Sequence, residues 1–220
     1  MQIDILTTLP SMFTGPLTES MMKRAQDKKL AEIRIHDLRQ WTQDKHRSTD
    51  DHPYGGGPGM VMMIEPIDKA LQSFKAKKGT KQELIILTSA KGNVYTQQTA
   101  QTWSTSIKRL VIICGHYEGV DERVAQYLVD QEVRIGNYVL TGGELPAMVM
   151  IDSIVRLIPG VLGDHESVKN ESHTILGYLE YPQYTRPENY NGWEVPQVLL
   201  GGNHKAIEDW RKNPTLNKSF

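Results

Sequence analysis

The sequence predicts an α/β fold built on a mainly parallel β-sheet, with a smaller domain after it. Short β-branched or apolar runs alternate with segments of helical periodicity, the pattern of strands joined by crossover helices. Three predicted strands run directly into glycine-bearing segments, as the strands of ligand-binding open sheets do. The 220 residues, 39% of them apolar, are enough for one packed domain and a small second one, and exclude a disordered chain.

Strands are predicted near 2–7, 32–36, 83–88, 109–114 and 131–135, the first carrying Ile3-Asp4-Ile5-Leu6 and the fourth Leu110-Val111-Ile112-Ile113. Helices are predicted near 17–29, 64–77, 96–106, 121–129 and 144–158. The last of these has a start signal, because Thr141-Gly142-Gly143-Glu144 fits a capping box and Pro146 is tolerated in a first turn. Pro159-Gly160 ends it. Residues 40–60 are too long and polar for a simple connection and contain Gly55-Gly56-Gly57-Pro58-Gly59; loops of this length inside a domain are usually functional or disordered. After a second irregular connection at 159–174 comes a Pro- and Tyr-rich stretch from 181 to 198. A short amphipathic helix follows from about 204 to 212, with Asn203 as its N-cap. A domain boundary is therefore expected near 162, giving a domain over 1–162, a linker over 163–173 and a small helical C-terminal domain over 174–220.

Charge and cysteine usage narrow the function. Lys plus Arg is 25 against 26 Asp plus Glu, a formal charge of −1, so any nucleic-acid contact must come from local patches. The single cysteine, Cys114, excludes an intramolecular disulfide and a multi-cysteine zinc site, and its place at the end of an apolar run predicts a buried thiol. No basic segment followed by a long apolar run opens the chain. The richest apolar stretch, 145–158, is interrupted by Asp152 and Arg156. A cytoplasmic protein is expected.

The glycine-bearing segments are Ser89-Ala90-Lys91-Gly92, Gly115-His116-Tyr117-Glu118-Gly119, and Gly136 through Gly143. If the strands are parallel, all three gather at one sheet edge, where glycine lets backbone N–H and C=O groups approach a ligand closely. Taken singly, each could simply be a tight turn. Neither G-x-G-x-x-G after a strand nor G-x-x-x-x-G-K-[ST] occurs, which disfavours dinucleotide and P-loop chemistry. The lack of a phosphate anchor suits a ligand with adenine and ribose but no phosphate.

Five ordered motifs carry a family resemblance. They are His46 through Met60, Cys114 through Arg123, Ile135 through Pro146, Tyr184-Thr185-Arg186-Pro187, and Val195 through His204. From residue 1 to about 212 the chain resembles the bacterial tRNA (guanine-N1)-methyltransferases. The resemblance implies the SPOUT superfamily, with a deep trefoil knot toward the C-terminal edge of the α/β domain, and a homodimer with active sites at the subunit interface. It implies S-adenosylmethionine in the knot, held among Ser89, Gly115, Glu118, Gly119, Ile135, Gly136, Asn137, Tyr138, Val139, Leu140, Gly142, Gly143 and Pro146. It implies a tRNA substrate with guanosine immediately 3′ of the anticodon and another guanosine before it. Magnesium dependence is implied as well, although no residue cluster has metal-ligand spacing. The C-terminal domain is shorter than is usual in that family.

Guanine N1 carries a proton and is a poor nucleophile until a base removes it; charge then develops on O6, where a fixed cation would stabilise it. The resemblance assigns the cation to Arg156 and, with Asn170-Glu171-Ser172 in the inter-domain linker, the base to Glu171, where the family usually has aspartate. It gives Glu118 an orienting role. Read from spacing alone, Arg156 is a helix partner for Asp152 four residues earlier, and Glu171 and Glu118 are solvated loop carboxylates. Asp50 is a candidate for reading the preceding guanosine, with Tyr54, Pro58 and Gly59 beside it; a turn-forming role explains Asp50 equally well. Lys205, Arg211, Lys212 and Lys218 against Glu208 and Asp209 could contact phosphates or form a solvated helix face. Two other readings stay open: a knotted methyltransferase with a different RNA target, and a non-catalytic RNA-binding protein of the same fold.

Overall fold

The computed structural model describes residues 1–162, 171–175 and 177–212. The chain divides into two compact units, Met1–Gly163 and Asp164–Phe220.

In the first unit, β1 (Gln2–Thr7), α1 (Ser20–Asp27) and β2 (Glu32–Asp37) are followed by the short strands β3 (Asp50–Asp51) and β4 (Val61–Met62). Then come α2 (Ile64–Ser73), β5 (Glu83–Val94), α3 (Gln97–Ser106), β6 (Arg109–Cys114), β7 (Gln131–Arg134) and α4 (Glu144–Val155). The five long strands form one sheet in the order β2-β1-β6-β5-β7, and every pairing is parallel. Parallel strands are covered on both faces, and the side chains divide accordingly. On one face Ile3, Ile5, Ile86, Leu110 and Ile112 pack with Met22, Ala100, Trp103, Met150 and Ile154 of α1, α3 and α4. On the other, Leu6, Ile85, Leu87, Val111 and Ile113 pack with Ile67, Ala70 and Leu71 of α2 and with Val124. Cys114 is fully buried, as its position predicts, and burial followed by the nearby negative charge of Glu144 pushes its thiol well above the ordinary range.

Three local expectations change. The strand predicted over 83–88 continues to Val94, with a register shift between Thr88 and Asn93 where it rejoins β7. Gly92 permits this, because a Cβ there would overlap the backbone of Glu132 and Val133. The helix predicted over 121–129 is one wide turn at Val124–Leu128, in which Val129 N donates to Val124 O at 3.2 Å. The capping box does not form: the N-cap of α4 is Gly143, and Glu144 turns inward. Its Oε1 accepts from Thr7 Oγ1 at 2.8 Å, so a buried tertiary partner displaces the local one.

In the second unit β8 (Asn189–Tyr190) and β9 (Trp193–Glu194) form a hairpin, followed by α5 (Gln197–Leu200) and α6 (His204–Arg211). Asn203 caps α6 as predicted, accepting from Ala206 N at 3.2 Å. Tyr181 and Tyr184 pack around Trp210, and Arg211 lies over the Tyr181 ring. Among the described cations of this helix, Lys212 is paired with Glu208 at 2.5 Å; Lys218 lies outside the described residues. No helix among the described residues is long and apolar enough to cross a membrane.

Candidate functional site

Because β5, β6 and β7 are adjacent and parallel, the register-shifted part of β5 and the segments that follow β6 and β7 share one edge of the sheet. There Ser89–Lys91, Gly115–Val120 and Ile135–Gly143 surround a cavity of about 440 Å³, within the range of small-molecule sites. Hydrogen bonds tie them together: Gly143 N donates to Gly115 O at 2.7 Å, and Gly115 N to the side-chain hydroxyl of Thr88, beside the first segment, at 3.0 Å. This requires glycine at 143, where a Cβ would overlap Thr88 Oγ1 and lie 2.8 Å from Gly115 N. The third segment is shaped by Tyr138, whose ring folds back over the Gly136 backbone.

Of the predicted cofactor residues, Ser89, Gly115, Glu118, Gly119, Ile135, Gly136, Tyr138, Val139, Leu140, Gly142, Gly143 and Pro146 all line this cavity. Asn137 does not; its Oδ1 accepts from Arg134 Nε at 3.1 Å, which turns the amide toward β7. The sequence reading missed Thr88, Lys91, His116, Glu122 and Glu132, which also line it. Lys91 pairs with Glu122 at the rim, and that carboxylate raises the Lys91 ammonium above its ordinary value. The signal was available for three of them: Lys91 and His116 lie inside glycine-bearing segments already singled out, and Thr88 abuts one. Glu122 lay within the motif Cys114 through Arg123, and Glu132 carried no signal.

The candidate substrate residues sit on the arm between β3 and β4. Asp50 is in β3, beside the Tyr117 hydroxyl; burial and then the negative charge of Asp50 raise the Tyr117 phenol above its ordinary range. Tyr54 and Pro58 are exposed. Gly59 has φ +76° and its backbone abuts the Glu118 side chain, leaving no room for a Cβ. Arg156 ends α4, its amide donating to Asp152 O at 3.2 Å. Glu171 belongs to the second unit, where its carbonyl accepts from Thr174 N at 3.2 Å. Among the described residues no three His, Cys, Asp or Glu side chains converge as a metal site.

Fold and site together define an α/β protein with a small-molecule cavity walled by glycine segments at the carboxyl edge of a parallel sheet. The family model described as tRNA (Guanine-1)-methyltransferase TrmD matches residues 1–220. A tRNA (guanine-N(1)-)-methyltransferase of Dictyoglomus turgidum is 51% identical over 220 residues, covering 100% of this chain and 87% of that protein. Proteins of the same name from Geobacillus kaustophilus and Chloroflexus aurantiacus are 50% and 51% identical, again over 100% of this chain and over 88% and 85% of their own lengths. The chain belongs to the tRNA (guanine-N1)-methyltransferase family, and so to the SPOUT superfamily.

Proposed function

We propose that this protein methylates N1 of guanosine in tRNA, at the position immediately 3′ of the anticodon, using S-adenosylmethionine. The observation that carries the reading is the cavity walled by three glycine segments, in a chain of this family. Its residues fit the cofactor. Leu87, Val133, Ile135, Leu140 and Pro146 offer apolar contact for a purine, and the close-packed glycines bring backbone groups to its edges. Glu118 offers negative charge to a cationic end, and Glu122 and Glu132, which share Lys91, add to the acidic wall. When bound, the cofactor supplies a methyl group activated by its sulfonium charge.

The protein then has two tasks, removing a proton and aligning two substrates. Glu171 takes the N1 proton, which frees the N1 electron pair for the methyl group that the cofactor would supply, its carbon–sulfur bond breaking to leave a neutral thioether. Arg156 stabilises the charge developing on O6, an interaction stronger in the transition state than in the ground state. Glu118 orients the reactants, and Asp50 accepts hydrogen bonds from the amino and imino groups of the preceding guanosine, with Tyr54, Pro58 and Gly59 shaping that contact. The same reading includes a trefoil knot in the first domain, a homodimer with active sites at the subunit interface, a linker over 163–173, a tRNA-binding C-terminal domain and a cytoplasmic location; magnesium is assigned no residue. Methylation of a tRNA transcript with two guanosines at the site, compared with one carrying adenosine before the target, tests it. Product at N1 of the target guanosine in the first transcript alone is expected, and no N1-methylguanosine in either overturns the reading.

A further inference from the structure

Two buried polar atoms beside the cavity face each other without a hydrogen-bond partner: His116 Nδ1 and Glu144 Oε2, 3.6 Å apart. Glu144 is fully buried, which is exceptional for a glutamate. Its other oxygen is engaged, because Thr7 Oγ1 receives the Leu9 amide at 2.9 Å and passes its own proton to Glu144 Oε1 at 2.8 Å. At 3.6 Å the facing pair is just beyond hydrogen-bond length, and two lone pairs at that distance would repel. A proton between them and a movement of about half an ångström satisfies both atoms. Gly142 makes the approach possible: a Cβ there would lie 2.5 Å from His116 Nδ1 and overlap Glu144 Oε2.

The proton has two possible homes. Glu144 is the first residue of α4, where the helix dipole favours negative charge, and Oε1 already accepts from Thr7. Both features favour a carboxylate, which places the proton on Nδ1. In neutral imidazole the other nitrogen, Nε2, is then an acceptor. Nδ1 is buried while 22% of the His116 side chain stays exposed, and the residue lines the cavity.

We propose that Glu144 is a positioning residue that holds His116 in the Nδ1-protonated tautomer, so that Nε2 accepts a hydrogen bond in the cavity from the adenosyl ligand. This rests on the proposed function. The donor is a ribose hydroxyl or the α-ammonium, both of which can donate to an imidazole nitrogen.

The test is long-range ¹H–¹⁵N spectroscopy of the full chain labelled at histidine, with His116→Asn to assign the resonance. The Nδ1-protonated tautomer is expected. In Glu144→Gln the amide oxygen takes the Thr7 proton and the amide nitrogen donates to Nδ1, so the ring switches to the Nε2-protonated form. Calorimetry should show S-adenosylmethionine binding about tenfold more weakly to that variant, the loss of one hydrogen bond, with the melting temperature retained. Binding of 5′-methylthioadenosine identifies the donor: an equal loss assigns a ribose hydroxyl, and no loss assigns the ammonium. An Nε2-protonated ring in the unaltered protein overturns the proposal, as does undiminished S-adenosylmethionine binding to Glu144→Gln. Should that variant not fold, the spectrum of the unaltered protein decides alone. If that protein binds no S-adenosylmethionine, the functional reading fails separately from the tautomer.

Discussion

Gly143→Ala isolates the junction on which the cavity depends. The added methyl would overlap Thr88 Oγ1 and lie 2.8 Å from Gly115 N and 2.9 Å from Thr88 Cβ, and none of these is the end of a flexible chain. Relief requires the third glycine segment to retreat from the second, which breaks the 2.7 Å bond from Gly143 N to Gly115 O. The bonds from Gly115 N to Thr88 Oγ1 and from Thr88 Oγ1 to Ile113 O, at 3.0 and 3.2 Å, are strained with it. Overpacking costs about 1–3 kcal/mol, and losing one hydrogen bond adds roughly 0.5–1.5 kcal/mol. Because the strain falls on the cavity wall, most of it should appear in ligand binding. At 1.4 kcal/mol per factor of ten, S-adenosylmethionine affinity should fall by about 10- to 10³-fold. Calorimetry measures this directly, with Gly201→Ala as control, since a Cβ there meets only the Gln197 carbonyl oxygen at 3.8 Å and the backbone, at φ −79°, suits any residue. Gly143→Ala binding within twofold of the unaltered protein would refute the reasoning.

Asp4 is 1% exposed and holds His36 Nε2 and Arg109 Nε at 2.9 Å each, with Gln2 Nε2 at 2.7 Å. Asp4→Ala removes the shared acceptor of these three donors, while Arg109 keeps Glu83 at 3.3 Å and the Phe74 carbonyl at 3.0 Å, and should cost about 1.5–3 kcal/mol in denaturant unfolding. Burial pushes the Asp4 carboxyl up, but these bonds outweigh it and hold it below the ordinary aspartate range. Its contribution is therefore complete above the unfolded carboxyl range and lost as pH falls through the lower folded value; Asp4→Asn should flatten that part of the acid stability curve. Cys114, buried and with its thiol pushed up, should resist aromatic disulfide reagents at pH 8 until the protein is unfolded; reaction in the folded state would contradict its placement. Glu171→Gln should lower turnover by about 10²–10⁴-fold and Arg156→Ala by about 10²–10³-fold, each with S-adenosylmethionine affinity retained. Normal turnover in both would remove the proposed roles.

The legible features were those fixed by neighbours in sequence. The run Leu110-Val111-Ile112-Ile113 reads as a strand because every side chain is apolar, and it lies between β1 and β5 with both faces covered. Asn203 reads as a cap because its partner, Ala206 N, is three residues away. Glu144 was misread for the complementary reason: its spacing from Thr141 suggests a local box, while its actual partner, Thr7, is 137 residues distant. Asp4 likewise gives no sign that its partners stand 32 and 105 residues along the chain. Periodicity places the backbone. It is silent about which polar groups will meet when strands from distant segments become neighbours, and the parts of the cavity that the sequence left unread are of that kind.

The cavity and the glycine-rich arm are also less independent than their separation in sequence suggests. Glu118 N donates to Met60 O at 3.0 Å, Met62 N to Gly119 O at 2.9 Å, and Asp121 N to Met62 O at 3.0 Å. These bonds sew the root of the arm to the second glycine segment, and Gly59 closes against the side chain of Glu118. Beyond the stitching, Gly55, Gly56 and Gly57 have positive φ and nothing within 4 Å of where a Cβ would stand. A ligand that fixes residues 115–121 therefore fixes the β4 root of the arm directly, and the β3 root through its pairing with β4. Through these bonds, occupancy of the cavity should bear on the posture of the arm. A substitution at Gly59 should be felt first through Glu118 in the cavity, and only then at the tip.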